Sequence, residues 1–100
     1  MEPFCKLTLL APLMLEEVLV DVLLEFDDDL EFAAGVVYAH ASGTDALSLV
    51  EQVTGRKRKI RFEIVTPQTE LAPLLKRLEA RLKGCGVHYT VEAVHAQGQL

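Results

Sequence analysis

His40, Ser42, Asp45 and Glu51 fall within one short polar stretch, HASGTDALSLVE. An imidazole, a hydroxyl and two carboxylates gathered there could hold a divalent cation or a polar ligand, because imidazole nitrogen and carboxylate oxygen are both common metal donors. Two more histidines, His88 and His95, would join a metal site with His40 if the fold or a neighbouring subunit brought them close. No ligand spacing of the HxxxH kind accompanies them. The plainer reading is that Ser42 and Asp45 cap a turn, His40 is a surface strand residue and Glu51 is solvated.

Just downstream stands the one basic run of the chain, Arg56, Lys57, Arg58, Lys59 and Arg61. It reads either as a grip for an anion, with Arg56 and Arg58 as ligand candidates, or as a solvated strand edge paired with the acidic cluster Glu25, Asp27, Asp28, Asp29 and Glu31. A nucleic-acid partner is not expected. The formal charge of −5 opposes attraction to a phosphate backbone. An RNA-binding sheet would also need stacking aromatics, and KLTLLA and KIRFEIV offer only Phe62, which alternation assigns to the core.

Signals for catalysis are poor. The chain has no nucleophile elbow, no GxGxxG and no phosphate loop; GTDALS is not a Walker motif. Cys85 sits between glycines after a helical pattern, where a helix C-terminus disfavours the thiolate. Cys5 and Cys85 lack the CxxC spacing of a zinc clip and are too few for a disulfide framework, so both are read as reduced and structural. The chain is therefore expected not to be an enzyme.

The elements that must position these residues are legible from periodicity. CKLTLLA, residues 5 to 11, reads as a first strand. Leu15, Val18, Leu19, Val22, Leu23 and Phe26 recur at helical spacing, with Pro12 near the start and Glu16 and Glu17 in the first turn, where they suit the helix dipole. FAAGVVYAHA is a second strand, residues 32 to 41. In KIRFEIV, Ile60, Phe62 and Ile64 alternate with Lys59, Arg61 and Glu63, the pattern of a half-buried third strand. Leu71, Leu74, Leu75, Leu78 and Leu82 predict a second helix. Pro73 favours a start near Thr69, or a kink, over a start at Pro67. Gly84 and Gly86 stop that helix, and VHYTVEAVH is a fourth strand with Val87, Tyr89, Val91 and Ala93 on one face.

One hundred residues suffice for one packed domain, and half of them are apolar, a folded-domain composition. No run of ~20 apolar residues and no signal-peptide pattern is present, so the protein is read as cytoplasmic. The order β-α-β-β-α-β predicts an α+β, ferredoxin-like fold over residues 1–100, a four-stranded antiparallel sheet with both helices on one face. The other face should carry Leu10, Val37, Ala39 and Val65 among Lys6, Arg61 and Glu63. That apolar content suggests self-association.

Between the second and third strands about fifteen residues, Ser42 to Arg56, are spent where a hairpin needs only a few. Such excursions usually carry function. Thr44 or Asp45 can cap a short helix through Ala46, Leu47, Val50 and Val53, with Gly55 as its stop.

HASGTDALSLVEQVTGRKRKIRFEIV, preceded by a strand and by the acidic helix LEEVLVDVLLEF, resembles the PII-like proteins of the family called domain of unknown function 3240. The similarity covers most of the chain and is most specific from His40 to Arg58. It implies a ferredoxin-like subunit, a homotrimer with inward-facing sheets, and a signalling loop, residues 42–56, that contacts a partner protein such as a membrane transporter. A link to heavy-metal efflux is implied as well, and no cofactor is named. Nitrogen-regulatory PII proteins carry a longer loop with a modifiable tyrosine, absent here between Ser42 and Arg56. Only Lys83, Gly84, Cys85 and Gly86 stand where they have a glycine-rich nucleotide loop, which argues against carrying over ATP binding and uridylylation. The alternative is a divalent-metal-binding protein of the CutA type, which shares the topology and would give His40, His88 and His95 direct roles.

Overall fold

β1 (Phe4–Pro12) alternates without a break between buried and half-buried residues, with Cys5, Leu7, Leu9 and Ala11 inward. A strand covered on one face only must read this way, because successive side chains point to opposite sides of the sheet. The computed structural model describes residues 3–40 and 56–100, and the elements after β1 follow in the expected order. A 3-10 turn (Leu13–Leu15) leads into α1 (Glu16–Phe26), followed by β2 (Phe32–His40), β3 (Arg56–Pro67), α2 (Gln68–Leu82) and β4 (His88–Val94). The sheet is antiparallel throughout, in the order β2-β3-β1-β4. This is the α+β, ferredoxin-like arrangement predicted from the element order.

The core is narrower than the sheet. Leu19, Val22 and Leu23 of α1 and Leu74, Leu78 and Leu82 of α2 pack on Leu7, Leu9 and Ala11 of β1 and on Ile60, Phe62 and Ile64 of β3. A fully buried Leu, Ile or Phe contributes ~1.5–3 kcal/mol, so these central strands carry most of the stabilisation. Among the described residues, β2 and β4 contribute no buried side chain. Val36, Tyr38, Tyr89 and Val91 lie on the helix side of these edge strands and remain exposed.

Two sequence expectations change in detail. α2 starts at Gln68, directly after the extended Pro67, and runs through Pro73 in place of starting at Thr69. The Gln68 N–H donates to the Pro3 carbonyl at 3.0 Å, which ties the helix start to the beginning of β1, and the exposed Pro73 keeps its ring off the packed face. β3 begins at Arg56, not Lys59, because β2 continues far enough to pair with the added residues. The basic run is strand from its first residue, so Arg56 belongs to β3 and not to the loop expected over 42–56.

Both ends of the helix layer close with local chemistry. After α1, Asp27 Oδ1 accepts the Asp29 N–H at 3.0 Å and the Asp27 carbonyl accepts the Leu30 N–H, an Asx-type turn that brings the chain into β2. After α2, Gly84 and Gly86 take φ of +79° and +83°, left-handed values that a side chain disfavours. They turn the chain into β4 within a few residues.

Candidate functional site

β2 and β3 outrun the rest of the sheet at one end. β1 stops at Pro12, opposite Lys59, while β2 and β3 continue through the pairs Tyr38–Arg58, Ala39–Lys57 and His40–Arg56. The result is a two-stranded ribbon leading to the segment between them. Ser42, Asp45, Glu51 and the predicted short helix from Ala46 to Val53 lie outside the described residues. His40 and Arg58 are exposed on the helix side of the ribbon, beyond the packed core. The ribbon thus places His40, Arg56 and Arg58 together at the root of that segment.

The three histidines do not meet within one chain. His88 opens β4 on the helix-free face, in register with Leu10 and through it with Arg61. His40 is three strands away and five residues further along β3, ~14 Å across and ~17 Å along the sheet at standard spacings. His95 follows β4 at the other end of that strand. A metal site using all three therefore requires side chains from another copy.

The acidic cluster does not pair with the basic run either. Asp27, Asp29 and Glu31 border Val65, Thr66, Pro67 and Glu70, at the opposite end of β3 from Arg56 to Lys59. From Val65 to Arg58 the strand spans ~24 Å, which is well beyond direct contact and over a Debye length at physiological salt. Glu25 instead meets Arg81 of α2 at 3.2 Å, and Asp27 serves the turn. The exposed carboxylates of Asp27, Asp28 and Asp29 lie within 4.8 Å of one another. Of these, the Asp27 carboxylate accepts the Asp29 N–H in the turn.

Cys5 and Cys85 are both free thiols. Burial beneath the helices pushes the Cys5 thiol pKa up, which suppresses its thiolate. Cys85 is exposed between its two glycines, its Sγ 3.9 Å from the Lys83 carbonyl. Beside it a crevice of about 190 Å3 opens between the end of α2 and β4, lined by Leu9, Leu78, Leu82, Lys83, Gly86 and Tyr89 among others. The sequence marked these glycines as a helix stop and, by resemblance, as the counterpart of a nucleotide loop, but not as the wall of a crevice.

The helix-free face holds what alternation predicted: Leu10, Val37, Ala39 and Val65 lie on it with Lys6, Arg61 and Glu63. Glu63 stands 3.5 Å from both Lys6 and Arg61. A trough of about 390 Å3 on the same face is lined by Thr8, Leu10, Arg61, His88 and Thr90, with Val37 and Ala39 at its side. The alternation of each strand could place these residues on a common face. Only the register shows that they are neighbours.

No curated protein matches this chain in sequence. Among solved structures, a protein of the DUF3240 family from Shewanella baltica superposes with a TM-score of 0.78 at 24% identity, covering 100% of this chain and 99% of that one. CPII, a nitrogen regulatory PII-like protein from Thiomonas intermedia solved with ADP, AMP and bicarbonate, superposes with a TM-score of 0.72 at 14% identity, covering 98% and 97%. A putative PII-like signaling protein from Thermus thermophilus gives 0.62 at 21% identity, covering 93% and 87%. These likenesses establish a PII-like fold. Residues 1–100 also match the model of the protein family of unknown function DUF3240, and a chain whose whole length matches that model belongs to the DUF3240 family.

Proposed function

We propose that the protein is a small PII-like regulatory protein that assembles as a homotrimer and signals through the segment between β2 and β3 to a partner protein. The observation that carries this reading is the ribbon of β2 and β3. Paired strands extend beyond the core as far as His40 and Arg56, in a fold shared along nearly the whole chain with PII-like proteins. The uncovered sheet face and the exposed apolar residues of both edge strands support self-association, since isolated subunits would leave them in water. A role next to heavy-metal efflux, with a transporter as the partner, is the specific form of this proposal. Regulation without catalysis is part of the reading. No helix among the described residues is long and apolar enough to cross a membrane.

Mass in solution tests the assembly. Light scattering on the eluting protein should give three chains at micromolar concentration, and a monomer there would count against the proposal. Thermal unfolding with divalent metals, adenine nucleotides and bicarbonate tests the signal, because a ligand that binds only the folded state raises the midpoint. A shift with a metal that His40→Ala abolishes, in a protein whose mass is unchanged, would favour the metal-binding reading with histidines shared between copies.

A further inference from the structure

An acidic protein has concentrated positive charge on one half of its helix-free face. Row by row from the β2–β3 ribbon, that face carries Lys57 beside Ala39, then Lys59 between Val37 and Pro12, then Arg61 and His88 in one row with Gly35 and Leu10. Among the described residues of these strands, the first carboxylate on this face, Glu63, appears one row further on, level with Thr8 and Thr90. Alternate residues on a strand stand ~7 Å apart on one face, so Lys57, Lys59 and Arg61 form a ladder of like charges that repel. Across from that ladder, β2 presents only Ala33, Gly35, Val37 and Ala39 to this face. These offer no counter-charge and leave room.

The trough lies where this field meets hydrogen-bonding groups. Arg61 and His88 flank Leu10 from the two strands beside β1, and Thr8 and Thr90 face each other one row below. Their donors are a guanidinium fork, an imidazole N–H and two hydroxyls, all on the same face and bordering one concavity. Among the described residues, Arg61 meets a carboxylate only through Nε, at 3.5 Å from Glu63, longer than a strong charge-assisted hydrogen bond. Such a pair yields readily to a better acceptor.

We propose that this trough is a binding site for a small multivalent oxyanion of the phosphate class, held by Arg61 and His88 with the hydroxyls of Thr8 and Thr90, beneath the positive field of Lys59. Phosphate chemistry suits the set because a guanidinium binds such oxygens bidentately while hydroxyls and an imidazole N–H donate to the others. The four residues belong to one chain and to the face that the proposed homotrimer turns inward, and none of them lies in the segment between β2 and β3.

Calorimetric titration of the purified protein with inorganic phosphate and with pyrophosphate tests it, at fixed low chloride. Saturable binding of one of the two is expected, weakened roughly ten- to hundredfold in Arg61→Gln through loss of a charged donor. Thr90→Val should weaken it by a smaller factor, and Glu63→Gln should tighten it by removing the competing carboxylate. Lys76→Gln, at an exposed position of α2, should leave it unchanged. Absence of saturable heat with both anions overturns the proposal. So does an affinity that Arg61→Gln and Thr90→Val leave intact, or one that Lys76→Gln reduces as much as Arg61→Gln does. Circular dichroism checks that each variant is folded; should Arg61→Gln fail that check, Thr90→Val and Glu63→Gln decide the matter by their opposite signs.

Discussion

The two central strands and the two edge strands of this sheet are built from similar residues yet meet different surroundings. Leu7, Leu9, Ile60, Phe62 and Ile64 of β1 and β3 are sealed under the helices. Val36, Tyr38, Tyr89 and Val91 face the same side from β2 and β4, and Tyr89 is still 57% exposed. Two helices of 11 and 15 residues roof only the middle of a four-stranded sheet. The lesson is that an apolar residue at an inward strand position reports the face it points to, and not whether anything covers it.

The largest effect should come from the covered strands. Phe62→Ala empties a site with no exposure, against which the Phe32 ring packs at 5.9 Å between centroids. Chemical denaturation should show a loss of ~3–5 kcal/mol. Tyr89→Ala and Val36→Ala on the edges should lower the stability of the isolated subunit by less than ~1 kcal/mol. If copies cover those edges, the same changes should reduce the mass measured by light scattering. A loss as large as that of Phe62→Ala in a monomer would break the comparison.

Thiol chemistry sharpens it further. Cys85 should react with a thiol reagent in the native protein within minutes, whereas Cys5, sealed under the helices and with its thiol pKa raised by burial, should react only on unfolding. One equivalent in the native state and two in denaturant is the expected count, and two in the native state would place Cys5 outside the core. The same burial gives a pH dependence. The folded thiol holds its proton above the ordinary value of 9.0, so its contribution to stability is complete below that pH and fades as pH rises through it. Cys5→Ala should flatten that alkaline decline, measured by urea midpoints against pH.

The smallest effect belongs to the surface. Glu25 and Arg81 meet at 3.2 Å with both side chains about half exposed. Arg81→Ala should cost ~0.2–1 kcal/mol, less in high salt. A larger loss would mean that the link between the helices is structural and not merely solvated.

How far these features were legible follows the same division. Period-2 alternation in KIRFEIV and helical spacing in both Leu-rich segments reported faces, because each depends on residues near in sequence. Strand ends were less legible: the sequence puts Arg56 in the loop and starts the clear alternation at Lys59, whereas β2 reaches His40 and pairs with Arg56. Pro73 argued for a late helix start because sequence alone does not show which side of the helix its ring will occupy.

The candidate site divides likewise. From the sequence came the basic run, the three histidines and the polar stretch from His40 to Glu51, since residue type alone sets what a side chain can bind. Which of them stand together was decided by register across strands distant in sequence. That register separated His40 from His88, set the acidic turn at the far end from the basic run, and brought Arg61, His88, Thr8 and Thr90 around one trough. The physical reason is that composition and periodicity are local properties of the chain, whereas a binding site is a coincidence of side chains whose distances only the packed sheet sets.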